Sequence, residues 1–198
     1  MKKPMLTAGV LSDTHLPYRM KTLPPSVIKT FAGVDIILHA GDVDRIEFLS
    51  PLRAIAPLYA VRGNVHLADG SFGGRDLPMD VQLTLAGRKV VVVHGHQPGV
   101  WGAIRKIPDI FLSLFDANAN SRFNDRISRR LHRLFPQADV VIFGHTHKPF
   151  EKQLGKTLFF NPGAVAPTAK MQPSIGFLYF WEDKVEAKIV PVAPNGRN

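Results

Sequence analysis

Cysteine is absent from the 198 residues. That excludes a disulfide-stapled scaffold, a thiolate zinc site and a cysteine nucleophile, and it fits a reducing compartment. Long apolar runs are missing too. Ile110 to Phe115 is only six residues, against the ~20 that a membrane-spanning helix needs. The start, Met1 to Val10, imitates the basic and apolar regions of a signal peptide, but its apolar stretch is short and runs into Asp13 with no cleavage-type site. Together these absences predict a soluble cytoplasmic protein. Acid is in deficit: 16 Asp and Glu face 25 Lys and Arg, a formal charge of +9, so the chain should attract polyanions. Aromatic residues do not interleave with the basic ones, so the charge by itself points only weakly to nucleic acid. Internal repeats and low-complexity segments are also lacking.

What is present reads as one globular domain, residues 1–198, since apolar residues make up 45% of a chain long enough for one core and short of two ordinary ones. Short β-branched runs recur: Met5–Leu11, Asp35–Leu38, Pro57–Val61, Val81–Leu85, Lys89–Val93 and Asp139–Phe143. Mostly without polar alternation, they predict strands buried on both faces under helices. Helices fit at Pro24–Phe31, with prolines at its start, and at Asp44–Ala54, with Asp44 as its N-cap. From Lys156 onward Thr157–Phe160, Ile175–Trp181 and Val185–Val192 read as strands, the last two joined by a Glu182-Asp183-Lys184 turn. A βαβ half followed by a β-rich tail predicts an α/β fold of two packed sheets with helices outside.

A basic helical insertion is predicted at about 99–136. Ile104, Ile107, Phe111, Leu114 and Phe115 recur at helical spacing, as do Phe123, Ile127, Leu131, Leu134 and Phe135. Asn118-Ala119-Asn120-Ser121 separates the two runs and could cap the second. Seven Lys or Arg face three Asp between Trp101 and Phe135. Three roles fit: an apolar face packed on a sheet with arginines in water, a cap over a polyanionic or nucleotide substrate, or peripheral contact with an anionic membrane. The apolar stripe leaves monomer and homodimer equally open.

Metal-capable residues follow the predicted strands. Asp13 and His15 follow the first and Asp42 the second. Asn64 and His66 follow the third, His94 and His96 follow Val90–Val93, and His145 and His147 follow Phe143-Gly144. The carboxyl ends of strands in α/β sheets line one crevice, so these residues should converge. Gly41, Gly63 and Gly144 each precede a candidate ligand, where glycine permits a sharp turn and close backbone approach. The donors are all nitrogen and oxygen, which suits Mn²⁺, Fe, Zn²⁺, Co²⁺ or Ni²⁺. Seven ligands exceed what one catalytic metal takes and suit two divalent ions sharing a bridging carboxylate.

Asp13-Thr14-His15, Gly41-Asp42, Gly63-Asn64, His94-Gly95-His96, Gly144-His145-Thr146-His147 and the later Asn161-Pro162-Gly163 resemble the motifs of the calcineurin-like metallophosphoesterases, in particular the small bacterial and archaeal phosphodiesterase branch. The resemblance runs from Met5 to about Val165. It implies an αββα sandwich of two mixed β-sheets and a dinuclear site. Asp13, His15 and His147 would hold one metal, Asn64, His94 and His145 the other, and Asp42 would bridge them. It further implies a phosphate ester bridging both ions, attacked in line by metal-bound hydroxide, with Mn as the favoured metal.

One place departs from that family. Many members carry a histidine after the Gly-Asn pair that is held to protonate the leaving group; here Val65 stands there, followed by His66. General acid catalysis contributes roughly 10²–10⁴-fold, so activated phosphodiesters should be better substrates than alkyl monoesters. His66 and His96 are the candidate proton donors. His39 reads as a residue that orients the site, and His132 as a surface position among arginines. Nuclease or nucleotide-processing activity and hydrolysis of a lipid-linked pyrophosphate stand as alternatives. A non-catalytic scaffold of the same fold is disfavoured, because a degraded site should have lost ligand types and all seven remain.

Overall fold

A computed structural model describes residues 3–64, 76–96, 119–166, 168 and 171–193. The order along the chain is β1 (Leu6–Leu11), α1 (Pro25–Thr30), β2 (Ile36–His39), a 3₁₀ turn (Ile46–Leu49), α2 (Ser50–Arg53), β3 (Leu58–Ala60), β4 (Asp80–Leu85) and β5 (Arg88–Val93). Then come α3 (Ala119–Leu134), β6 (Val140–Ile142), β7 (Phe150–Leu154), β8 (Thr157–Asn161), β9 (Ser174–Phe180) and β10 (Val185–Pro191). Among the described residues the strands form two five-stranded sheets, ordered β10-β9-β1-β2-β3 and β4-β5-β6-β8-β7. Both are mixed. β1, β2 and β3 run parallel, as do β5, β6 and β8, while the remaining pairings are antiparallel.

Three apolar layers make this a sandwich. Val10, Leu38, Val61 and Phe180 of the first sheet meet Val90, Val92, Ile142 and Phe160 of the second in the layer between them. Val27 and Phe31 of α1 and Leu52 of α2 cover the outer face of the first sheet. Ile127 and Leu131 of α3 cover the second, against Val91, Val141, Phe143 and Phe159. The predicted αββα architecture is therefore present. Central strands are unbroken apolar runs because both faces are covered. β4, β7 and β10 stand at sheet edges and alternate instead.

Some local expectations need correcting. Asp44 caps no helix: a 3₁₀ turn starts at Ile46, its cap residue Arg45 makes no side-chain cap bond, and α2 is only four residues long. α3 begins at Ala119, so Ala119, Asn120 and Ser121 belong to its first turn rather than to a separator. β7 was not expected, because Phe150-Glu151-Lys152-Gln153-Leu154 has apolar residues only at its ends and reads as charged loop. It forms because Phe150 and Leu154 pack on the α3 side while Glu151 and Gln153 face water. The first half of the predicted insertion, with Ile104 to Phe115, and also Val65 and His66, lie outside the described residues. No helix among the described residues is long and apolar enough to cross a membrane.

Candidate metal centre

Parallel strands aim the loops that follow β1, β2, β3, β5 and β6 at one edge of the sandwich. The first sheet delivers Asp13, His15, Asp42 and Asn64; the second delivers His94, His145 and His147. Backbone bonds extend the ladders past the strand ends, with Asp13 N donating to Gly41 O at 2.9 Å and Gly144 N to His94 O at 3.1 Å. Asp13, His15, Asp42 and His94 are almost fully buried, and Asn64 is 6% exposed.

The backbone here is unusual. Asp13, His15, Asp42, Asp44, His145 and His147 all have φ between 48° and 72°. Left-handed conformations in non-glycine residues cost about 1–3 kcal/mol each and persist only where the surroundings impose them. Ala86, in the β4–β5 turn, is the one other such residue among those described. Glycine is needed beside them for two reasons. Gly41 has φ 96°, as expected of a sharp turn, whereas a Cβ on Gly63 would overlap Asp42 Oδ1. Gly63 thus allows close approach.

Two donor groups share Asp42. On one side Asp13, His15, Asp42 and His147 place one ligand atom each within 4.8 Å of one another. His15 Nε2 lies 3.4 Å from Asp42 Oδ2, and His147 Nε2 lies 3.2 Å from Asp13 Oδ1. On the other side His94 Nε2 lies 3.4 Å from Asp42 Oδ1 and 3.0 Å from Asn64 Oδ1, and His145 Nδ1 lies 2.7 Å from Asn64 Oδ1. All seven predicted ligands are brought together. His96 adjoins the second group, its ring 5.4 Å from that of His94 and 6.4 Å from that of His145.

The donor set fits a divalent cation. His94 Nδ1 is 2.8 Å from the Ala40 carbonyl, to which it donates. A neutral His94 therefore carries a lone pair on Nε2, facing two oxygens with no proton between them. A cation is what satisfies such a meeting of lone pairs. Burial pushes the Asp13 carboxyl up, yet the charge and hydrogen bond of His147 outweigh it and hold the group at about 2. Burial likewise pushes His147 down, but the Asp13 carboxylate outweighs it and raises that imidazole above its ordinary value. In the metal-free protein a proton on His147 thus neutralises Asp13 where a cation would.

Supporting bonds hold these side chains. Asn64 N donates to Asp42 Oδ1 at 2.9 Å, and His145 N donates to Asp13 Oδ2 at 3.1 Å. Burial lowers His39 to about 3, so it is neutral. Its Nδ1 accepts from Gly41 N at 3.2 Å, leaving Nε2–H to donate to Thr14 Oγ1 at 3.1 Å. His39 orients the Asp42 loop, as read from sequence. Asn161 Nδ2 donates to Gly144 O at 2.9 Å and to Thr146 Oγ1 at 3.0 Å, so Asn161-Pro162-Gly163 supports the site floor.

Three partners escaped sequence reasoning. Thr146 Oγ1 donates to the buried Asn124 Oδ1 of α3 at 2.8 Å. Arg130 of α3 donates through Nη2 to Gly95 O at 2.5 Å and His96 O at 3.4 Å. Asp44 Oδ2 lies 3.5 Å from His15 Nδ1. Only for Asp44, two residues after Asp42, was there a sequence signal.

Residues 6–183 match the family model for the calcineurin-like phosphoesterase superfamily domain. A probable metallophosphoesterase of Methanocaldococcus jannaschii is 34% identical, over 93% of this chain and 80% of its own length. One from Methanothermobacter thermautotrophicus is 30% identical, over 92% and 90%. Among solved structures, zinc-bound Vps29 of Entamoeba histolytica superposes with a TM-score of 0.63 at 21% identity, over 94% of this chain and 99% of its own. An archaeal phosphodiesterase gives 0.59 at 20%, over 93% and 100%.

Proposed function

The chain belongs to the calcineurin-like phosphoesterase superfamily, and from that premise we propose that it is a cytoplasmic phosphodiesterase working at a dinuclear metal centre. The observation that carries this reading is the sharing of Asp42, whose two oxygens face one donor group each. Asp13, His15 and His147 would hold one ion, Asn64, His94 and His145 the other, and Asp42 would bridge them. The metal is Mn²⁺ in this reading, and the same nitrogen and oxygen donors also suit Fe, Zn²⁺, Co²⁺ or Ni²⁺. Bound there, two divalent ions supply Lewis acidity to a phosphate and lower the pKa of water towards neutrality.

The chain's own part is to hold lone pairs in place and keep water out. His94 keeps its proton on Nδ1, against Ala40 O, and so presents Nε2. Backbone N–H groups of Asn64 and His145 fix the carboxylates of Asp42 and Asp13. His96 is the candidate to protonate a leaving oxygen, together with His66. With Val65 where many relatives carry a histidine, activated diesters are the favoured substrates. The chain is read as one domain, 1–198, whose helical insertion at about 99–136 includes α3.

The test starts from metal-free protein titrated with Mn²⁺, followed by nitrophenol release from bis(p-nitrophenyl) phosphate and p-nitrophenyl phosphate. Metal-dependent turnover favouring the diester, lost in Asp42→Ala, is expected. No turnover with Mn²⁺, Co²⁺, Ni²⁺ or Zn²⁺ sinks the reading. His66→Ala and His96→Ala should slow alkyl-ester turnover; if both leave it unchanged, neither is the acid.

A nuclease is the second reading, favoured by one observation. Arg122, Arg126, Arg129 and Arg133 are exposed along one face of α3. The opposite face packs Ile127 and Leu131 on the second sheet, with Leu134 exposed at its end, so α3 offers mainly arginines outward. Binding of a single-stranded oligonucleotide that weakens steeply with salt supports a nuclease; flat salt dependence rejects it.

A further inference from the structure

Asp44 does nothing in the scheme above, yet its placement is costly. Its backbone lies in the left-handed region, at φ 64°, and its side chain is fully buried. Neither carboxylate oxygen has a hydrogen-bond partner among the described residues. A buried carboxylate without donors destabilises a fold unless another group answers its charge. Here Oδ2 stands 3.5 Å from His15 Nδ1, a charge contact longer than a formed hydrogen bond. On the far side of the same ring, Nε2 faces Asp42 Oδ2 at 3.4 Å. If Nε2 is to offer a lone pair, Nδ1 must carry the proton, and that proton is then aimed at Asp44.

The other half of the site is built differently. Behind His94 stands the Ala40 carbonyl, a neutral acceptor. An imidazole backed by a carboxylate is a more basic ligand than one backed by an amide carbonyl. Charge adds to the contrast. Asp13, Asp42 and Asp44 all lie against the first donor group, whereas the second has one oxygen of Asp42 and the neutral amide of Asn64.

We propose that Asp44 is a positioning residue that holds the Nδ1–H of His15, and that it makes the Asp13–His15–His147 half bind its divalent ion more tightly than the Asn64–His94–His145 half. The inference rests on the dinuclear reading and specifies its order of filling. The first half loads first, and Asp44 sets much of the gap.

Metal-free wild type and Asp44→Asn are titrated with Mn²⁺, free ion being followed by electron paramagnetic resonance. Asparagine has the same shape and accepts a left-handed backbone, so the fold should be kept. Wild type is expected to show two events of unequal affinity. In the variant the tighter event weakens by about 10–100-fold, and the weaker event stays where it was. Urea unfolding supplies a readout without metal. The metal-free variant should unfold at no lower a urea concentration than metal-free wild type, because the 3.5 Å contact it alters is longer than a formed hydrogen bond. A purely structural role would lower both quantities. Equal weakening of both events, unchanged affinities or a lower urea midpoint overturns the inference and leaves the dinuclear reading standing. A wild type that binds no divalent ion overturns both.

Discussion

His15 and His94 approach opposite oxygens of one carboxylate, each through Nε2 and each at 3.4 Å. They come from different sheets, so Asp42 is the side chain through which the two halves of the site are joined. Its removal should therefore act on both halves together. Asp42→Asn is expected to weaken both Mn²⁺ events by more than the 10–100-fold typical of an outer partner. Calorimetric titration checks this; loss of only one event would show that Asp42 serves one ion.

His39 gives a pH dependence whose sign is fixed by burial. Its folded value, about 3, lies below the ordinary 6.5, so the unfolded chain takes up a proton that the native fold refuses. The associated stability is fully present above pH 6.5 and declines as pH falls towards 3. His147, with its raised value, works in the opposite sense and loses its contribution as pH rises. Comparing metal-free wild type with His39→Gln cancels that background. The variant should be less stable at pH 7 and lose less stability between pH 6.5 and 4.5, as read by urea unfolding. Parallel profiles would assign the acid sensitivity to other groups.

Thr146 joins α3 to the loop that carries His145 and His147. Thr146→Val keeps the shape and strands the buried Asn124 Oδ1, which accepts from the hydroxyl, while Asn161 Nδ2 loses one of its two acceptors and keeps Gly144 O. Leaving such an acceptor unsatisfied costs about 1–3 kcal/mol. Thr146→Ser should keep most of that stability. A valine variant as stable as the serine variant would mean that the hydroxyl is dispensable.

Arg130 ties α3 to the His94–His96 loop through the Gly95 and His96 carbonyls. Arg130→Ala should lower the unfolding free energy by about 1–2 kcal/mol, at or below the usual range for a charged donor because the guanidinium is half exposed. Thermal unfolding of the metal-free protein measures it. Mn²⁺ affinity should fall at the Asn64–His94–His145 half and not at the other.

The sequence by itself determined the core strands and the residue types of the candidate site. β1, β2, β5 and β6 are apolar runs because helices and a second sheet cover them, and a run covered on both faces announces itself without its neighbours. The position of each candidate donor after such a strand was equally legible, because chain order alone places it there. β7 was hidden, since Phe150 and Leu154 look like part of a charged loop until the α3 side gives them something to cover. Asp44 read as a helix cap for the same reason: a lone aspartate before an apolar run has a local use, and only the fold sets His15 against it. The pairing of donors was decided by tertiary structure. His147 meets Asp13, and His94 meets Asp42 and Asn64, only when two sheets distant in sequence pack face to face. The left-handed backbone at six of these loop positions was invisible for the same physical reason. Aspartate and histidine tolerate it better than most residues but still at a cost, so the surrounding packing has to impose it.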